Sequence, residues 1–175
     1  MQDYEHRPSE QVVSPPPGMF KTAMRRFASS VSIITVSDEF KPAGMTASSV
    51  ISVSMDPPTI LVIINQTAGI HDVIRKRGRF CVNLLGHGHG EISRAFSGYV
   101  DRADRFQFGS WKQADDGLPV LSDAPCSLIC ETVVCLSYTT HSIFLGAVRE
   151  IALAPSTTPL VYCEGTFWRD VAPLS

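Results

Sequence analysis

Val31-Ser32-Ile33-Ile34-Thr35-Val36-Ser37-Asp38-Glu39-Phe40-Lys41-Pro42-Ala43-Gly44-Met45-Thr46-Ala47-Ser48-Ser49-Val50-Ile51-Ser52-Val53 reads as two extended runs about a turn. Val31 to Val36 is apolar and β-branched, Asp38 to Pro42 supplies turn residues, and Gly44 to Val53 returns, so the stretch predicts a hairpin. Downstream, Asp56, Pro57 and Pro58 force a break because proline donates no ladder hydrogen bond. Thr59 to Ile64 then follows, apolar on both faces as a central strand is. Phe80 to Leu85, Cys126 to Leu136, His141 to Leu153 and Leu160 to Phe167 read as further strands. Ile70 to Lys76 and Glu91 to Phe96 read as short helices, and residues 101–124, which hold Trp111, as irregular. Upstream, Phe20, Ala23, Met24, Phe27 and Val31 recur at helical spacing while Lys21, Arg25 and Arg26 face away, predicting a half-buried helix that ends near Ser29 or Ser30. Residues 1–18, with Pro15, Pro16 and Pro17, read as a loose arm, 19–170 as the domain, and 171–175 as a tail. Six or seven strands without regular β-α alternation argue against a doubly wound sheet. They favour a mainly β fold, a closed antiparallel barrel with short peripheral helices, because closure removes exposed sheet edges.

The 175 residues suit one domain, and 44% hydrophobic against 18% charged residues is an ordinary globular balance. Fifteen Lys and Arg against seventeen Asp and Glu give a net charge of -2 with no basic run, which excludes a nucleic-acid partner. The longest aliphatic run, Ile60 to Ile64, is far short of the ~20 residues of a membrane span, and no signal peptide is evident. Cys81, Cys126, Cys130, Cys135 and Cys163 form no C-x-x-C pair and have apolar neighbours. They read as buried thiols of a reducing, cytoplasmic compartment. None sits beside a His, Lys or Arg that would activate it as a nucleophile. Gly86-His87-Gly88-His89-Gly90 imitates a dinucleotide-binding turn, but the third glycine of G-x-G-x-x-G would fall at Glu91. His87 and His89 have no third ligand nearby, so the stretch reads as a surface turn and no metal site is expected.

Gly44-Met45-Thr46-Ala47-Ser48-Ser49 places small and hydroxyl residues on what should be a packed strand. It is either an edge strand with solvated hydroxyls or a surface on which a flat polar ring lies against the backbone. Together with Ser52-Val53-Ser54-Met55-Asp56-Pro57-Pro58, Phe80-Cys81-Val82-Asn83-Leu84-Leu85, Arg105-Phe106, His141 ahead of Phe144-Leu145-Gly146-Ala147-Val148, and Pro159-Leu160-Val161-Tyr162, in this order, it resembles the flavin reductase domain family. The chain is especially similar to the small reductase components of two-component flavin monooxygenases, such as that of 4-hydroxyphenylacetate 3-monooxygenase, from about Phe20 to about Trp168.

The resemblance implies an FMN-binding split β-barrel with Greek-key connections, working as a homodimer. It implies an NAD(P)H:flavin oxidoreductase that reduces FMN or FAD with NADH or NADPH and supplies reduced flavin to a partner oxygenase. It further implies that Pro42, Ala43, Gly44, Met45 and Thr46, with Ser48 and Ser49, line the flavin ring, and that Asn65, Gln66, Thr67 and Ala68 hold the ribityl and phosphate end. Ser97 and Arg105 become the other phosphate candidates, although Arg105 reads equally as a surface ion pair with Asp101, Asp104 or another carboxylate. His141 falls at the nicotinamide site, where the family often carries Gly-Asp-His and this chain carries Thr139-Thr140-His141. Ala68 stands where many relatives place a serine, leaving Thr67 or backbone N–H groups to serve. Such a site needs no strong acid or base, since hydride passes between cofactors while the protein stacks rings and excludes water. The alternative function is a flavin-binding protein for electron transfer or storage that does not turn over pyridine nucleotide.

Overall fold

The computed structural model describes residues 15–39, 41–155 and 158–168. Only residues 15–18 of the expected arm fall within them, and the expected tail at 171–175 lies outside. Along the chain run α1 (Met19–Met24), β1 (Ser29–Ser30), β2 (Ser32–Asp38), β3 (Lys41–Ala47), β4 (Val50–Met55), β5 (Pro58–Asn65), α2 (His71–Arg77), β6 (Arg79–Leu84) and α3 (Gly90–Arg94). Six further strands follow: β7 (Trp111–Gln113), β8 (Pro119–Leu121), β9 (Cys126–Tyr138), β10 (His141–Leu153), β11 (Val161–Cys163) and β12 (Thr166–Trp168).

Seven strands form one antiparallel sheet in the order β3-β2-β6-β9-β10-β5-β4. Ile34 and Val36 of β2, Phe80 and Val82 of β6, Ile60, Val62 and Ile64 of β5 and Phe144 of β10 share one buried cluster. Strands near opposite ends of the order therefore face each other, and the sheet wraps round its own core as a split β-barrel. The split runs between β3 and β4, which follow one another in the chain yet do not pair. The chain turns between these two edges at Ser48-Ser49, so Gly44 to Val53 is two strands and not the single one expected. Thr59 to Ile64 lies within β5, next to edge strand β4 and not at the centre of the sheet. Ile60, Val62 and Ile64 are buried, whereas Leu61 and Ile63 are half-buried on the outer face.

The other face of β2 and β6 carries a second cluster, in which Ile33, Leu85, Phe96, Leu121 and Leu160 meet Phe106, Trp111, Tyr162 and Phe167. Part of that cluster comes from 101–124, which is not wholly irregular: β7 and β8 pair as a hairpin there. Asn83, fully buried on β6, holds the hairpin down. Its Oδ1 accepts from Leu121 N at 2.8 Å and from Ser127 Oγ at 3.1 Å, and its Nδ2 donates to Ile33 O and Thr35 Oγ1, both at 3.2 Å. Leu160 to Phe167 is likewise not one strand, because Glu164 and Gly165 take φ of 53° and 82° and fold β11 back on β12.

Two expectations about burial are corrected. The N-terminal helix stops at Met24, and its apolar side is open, with Phe20 67% and Phe27 64% exposed. Of the five thiols only Cys81 and Cys130 are buried, and Cys135 is exposed. No helix among the described residues is long and apolar enough to cross a membrane.

Candidate functional site

β3 lies so close to the second cluster that a Cβ on Gly44 would stand 2.8 Å from Phe96 Cε1 and 3.1 Å from Ile34 O. The close approach that this glycine permits is therefore made by the Phe96 ring. That ring is wedged edge-on against Phe106, with centroids 5.1 Å apart, and tilted against Trp111 at 5.4 Å. Beyond α3 the chain widens into a π-type turn, Ala95–Tyr99, in which Gly98 adopts φ 101°, a region open to glycine but rarely to L side chains. Tyr99 is left 84% exposed.

Between β3, residues 68–70, this turn, Arg102, Arg105 and the β11–β12 hairpin opens a cavity of about 790 Å³, large enough for a small-molecule ligand. Of the residues expected at the site, Pro42, Ala43, Gly44, Met45, Thr46, Ser48, Ala68, Ser97 and Arg105 line it. Ser49, Asn65, Gln66, Thr67 and His141 do not. Ser49 Oγ donates to Ile63 O at 3.1 Å, fixing the corner between β3 and β4. Asn65 Oδ1 accepts from the backbone N and from Oγ1 of Thr67, both at 2.9 Å, and so shapes the loop that delivers Ala68. That loop is tied to the β9–β10 turn: Gln66 N donates to Thr140 O at 3.0 Å, Gln66 Nε2 to His141 O at 3.2 Å, and the buried His71 places Nε2 2.9 Å from Ser142 Oγ. His141 is exposed, with Nδ1 2.8 Å from Thr140 Oγ1.

Hydroxyls within the cavity are partly committed already. Thr46 Oγ1 and Ser97 Oγ each donate to Ser93 O at 2.7 Å, pinning β3 to α3 and the turn after it. Both keep lone pairs to accept a ligand N–H, whereas Ser48 is exposed on the wall with its hydroxyl uncommitted among the described residues.

Arg94, Arg102 and Arg105 line the cavity, no Asp or Glu does, and none of the three arginines forms a salt bridge among the described residues. The ion pair considered for Arg105 is thus not formed there. Its Nε donates to Val100 O at 3.2 Å and its Nη1 to Gly44 O at 3.1 Å. Burial and the neighbouring Arg102 charge lower its pKa from the ordinary guanidinium value. A cavity lined by guanidinia that form no salt bridge among the described residues, by backbone groups and by an uncommitted hydroxyl suits an anionic ligand with a polar ring, as a phosphorylated flavin is.

Arg94, Arg102 and Tyr99, and the β11–β12 hairpin as a cavity wall, are not among the site residues expected from the sequence. Arg102 carried a usable signal, a second arginine three residues before Arg105, but the surrounding aspartates masked it.

The family model described as flavin reductase like domain matches residues 24–169. The reductase component of an FADH(2)-dependent resorcinol hydroxylase from Rhizobium sp. (strain MTP-10005) is 37% identical over 145 residues, 82% of this chain and 81% of its own. The FMN reductase (NADH) RutF of Variovorax paradoxus (strain S110) is 34% identical over 158 residues, 90% of this chain and 88% of its own. Among solved structures, the Streptomyces globisporus C-1027 NADH:FAD oxidoreductase SgcE6 matches with a TM-score of 0.84 at 27% identity, covering 94% of this chain and 100% of that one. A match that runs from α1 to the last described strand leaves no part of the barrel outside it, and the chain belongs to the flavin reductase like domain family.

Proposed function

We propose that the chain is an NAD(P)H:flavin oxidoreductase that reduces FMN or FAD and hands the reduced flavin, by diffusion, to an oxygenase component. The observation that carries this reading is the cavity in which three arginines that form no salt bridge among the described residues share a wall with β3. A bound flavin supplies a ring that accepts hydride from the dihydronicotinamide. For its part the chain binds and orients: β3 backbone and Ser48 meet the ring, Thr46 and Ser97 offer acceptor lone pairs, and the arginines hold phosphate. Ala68 and its neighbours close one side against water. Residues 19–170 are read as the whole working domain, and the free thiols fit a cytoplasmic address.

We also read the assembly as a homodimer. Cross-strand registers line up Ile51, Leu61, Leu145 and Val134 in one row, and Ile63, Ile143 and Leu136 in the next, on the outer face of β4-β5-β10-β9. Ile51 is 59% and Leu136 57% exposed, a contiguous apolar patch of the sort that marks an interface. Asn65, His141 and Tyr138 form the next row on this face, which puts His141 at the edge of the patch; that it contacts the nicotinamide is carried over from the family resemblance. His141→Ala should then raise the KM for NADH roughly two- to tenfold, the worth of one hydrogen bond, with flavin Kd unchanged in a fluorescence titration. Loss of both together with a lower Tm would make His141 structural.

The decisive assay mixes protein with NADH or NADPH and FMN or FAD in air and follows nucleotide absorbance. Flavin-dependent consumption is expected, and none in any of the four pairings overturns the proposal. His141 standing outside the cavity lining favours a second reading, a flavin carrier without nucleotide turnover. A yellow protein that keeps its flavin through gel filtration and is not bleached by NADH or NADPH would establish that one.

A further inference from the structure

The β9–β10 turn that carries His141 has little packing of its own. Tyr138, Thr139, Thr140 and His141 are all exposed, and Thr139 takes φ 47°, a conformation that β-branched residues rarely adopt. Gln66 reaches two of its carbonyls, and a polar chain from α2 reaches its side chains. His71 is 3% exposed and sets its ring edge-on against Phe144, with centroids 5.6 Å apart. Its Nδ1 lies 3.0 Å from Asp72 Oδ1 and its Nε2 2.9 Å from Ser142 Oγ, which lies 3.1 Å from Ser137 Oγ. A carboxylate only accepts, so in the neutral imidazole the proton sits on Nδ1, Nε2 accepts from Ser142, and Ser142 accepts from Ser137.

Asp72, His71 and Ser142 have the connectivity of an acyl-transfer triad, but Ser142 is fully buried and no substrate carbonyl reaches it. The chain acts by direction instead. Ser142 and Ser137 face each other across β10 and β9, one pair in from His141 and Tyr138. Successive side chains of a strand point to opposite faces, so a Ser142 held inward by His71 turns His141 outward. Resting on the reading of His141 as the nicotinamide contact, we propose that His71 is the positioning residue for that contact. Through Ser142 it fixes the direction in which His141 leaves the sheet, and it touches neither flavin nor nicotinamide itself. The loop at the flavin cavity is held separately, since Ala68 N donates to Asn65 O at 2.9 Å and Gln66 N to Thr140 O at 3.0 Å. Loss of the imidazole therefore reaches His141 and spares the flavin.

The test follows the Hε1 NMR signal of His141, assigned by its loss in His141→Ala, together with KM for NADH, flavin Kd and Tm. His71→Phe keeps a ring against Phe144 but cannot accept from Ser142, and Ser142→Ala removes the donor. Both should shift the His141 signal and raise KM about two- to tenfold, with kcat retained and flavin Kd changed less than twofold. His71→Gln offers Ser142 an amide oxygen and should return signal and KM toward wild type. Added to His141→Ala, His71→Phe should raise KM no further, because both act through one contact. An unmoved His141 signal in His71→Phe, or a Gln variant no better than Phe with KM, flavin Kd and Tm all worsened together, makes His71 core packing alone and overturns the inference. If His141→Ala leaves KM unaltered, or wild-type protein oxidises no NADH, while His71→Phe still moves the signal, the reading beneath fails and the link from His71 to His141 stands.

Discussion

Among the described residues, Ser48 lines the cavity with no hydrogen-bond partner for its hydroxyl, unlike Thr46, Ser97 and Ser49. Thr46 and Ser97 donate to Ser93 O and Ser49 to Ile63 O, so removing any of these loosens the protein itself. Ser48→Ala should instead raise flavin Kd about two- to tenfold with an unchanged Tm, and a variant that melts lower with unaltered Kd contradicts the assignment. Composition singled out β3, which lines the cavity, but could not separate cavity-facing hydroxyls from structural ones, since a serine's acceptor is set by whichever carbonyl the fold brings near. Buried thiols give a second residue-level expectation. Desolvation pushes Cys81 and Cys130 up to about 12 from the 9.0 of an exposed thiol. A raised acid pKa means that the folded state holds its protons where the unfolded state releases them, so this stability is whole below about pH 9 and is lost as pH rises toward 12. Urea midpoints should fall from about pH 8 to pH 10, and replacing both thiols with alanine should flatten the slope. A flat wild-type profile refutes it.

At the scale of elements, long apolar and β-branched runs marked β2, β5, β6, β9 and β10, although the alternation of buried and half-buried residues along β5 was hidden by apolar side chains on both faces. β7–β8 went unmarked, and β11 was joined to β12. Trp111 to Gln113 and Pro119 to Leu121 are three residues each, too short to show a period, and their pairing depends on a partner far along the chain. That partner is Asn83. In Asn83→Ala the buried Leu121 N–H and Ser127 hydroxyl lose their acceptor, which should cost about 2–3 kcal/mol in denaturant unfolding. Because the same hairpin carries Trp111 against Phe96, and Phe96 backs β3, flavin Kd should rise as well. An Asn83→Ala protein of wild-type stability would show that the hairpin stands without it. α1 was overextended for a related reason: helical spacing predicts a face, but not what covers it.

For the whole molecule, the proposed homodimer rests on the outer face of β4-β5-β10-β9. Sedimentation should give twice the 19.1 kDa chain mass, and Leu136→Glu should halve it without altering the circular dichroism spectrum. Wild-type protein at the mass of one chain, or a variant that stays paired, rules this face out. The tie between Gln66 and the β9–β10 turn then carries a thermodynamic consequence. In the proposed homodimer a second copy seated on this face would brace the turn, the turn the loop, and the loop presents Ala68, Gly69 and Ile70 to the cavity. Linkage is reciprocal: whatever factor the assembly adds to flavin affinity, flavin returns to the assembly. Dilution should thus loosen the ligand, and flavin added to a dilute sample should draw free subunits back together.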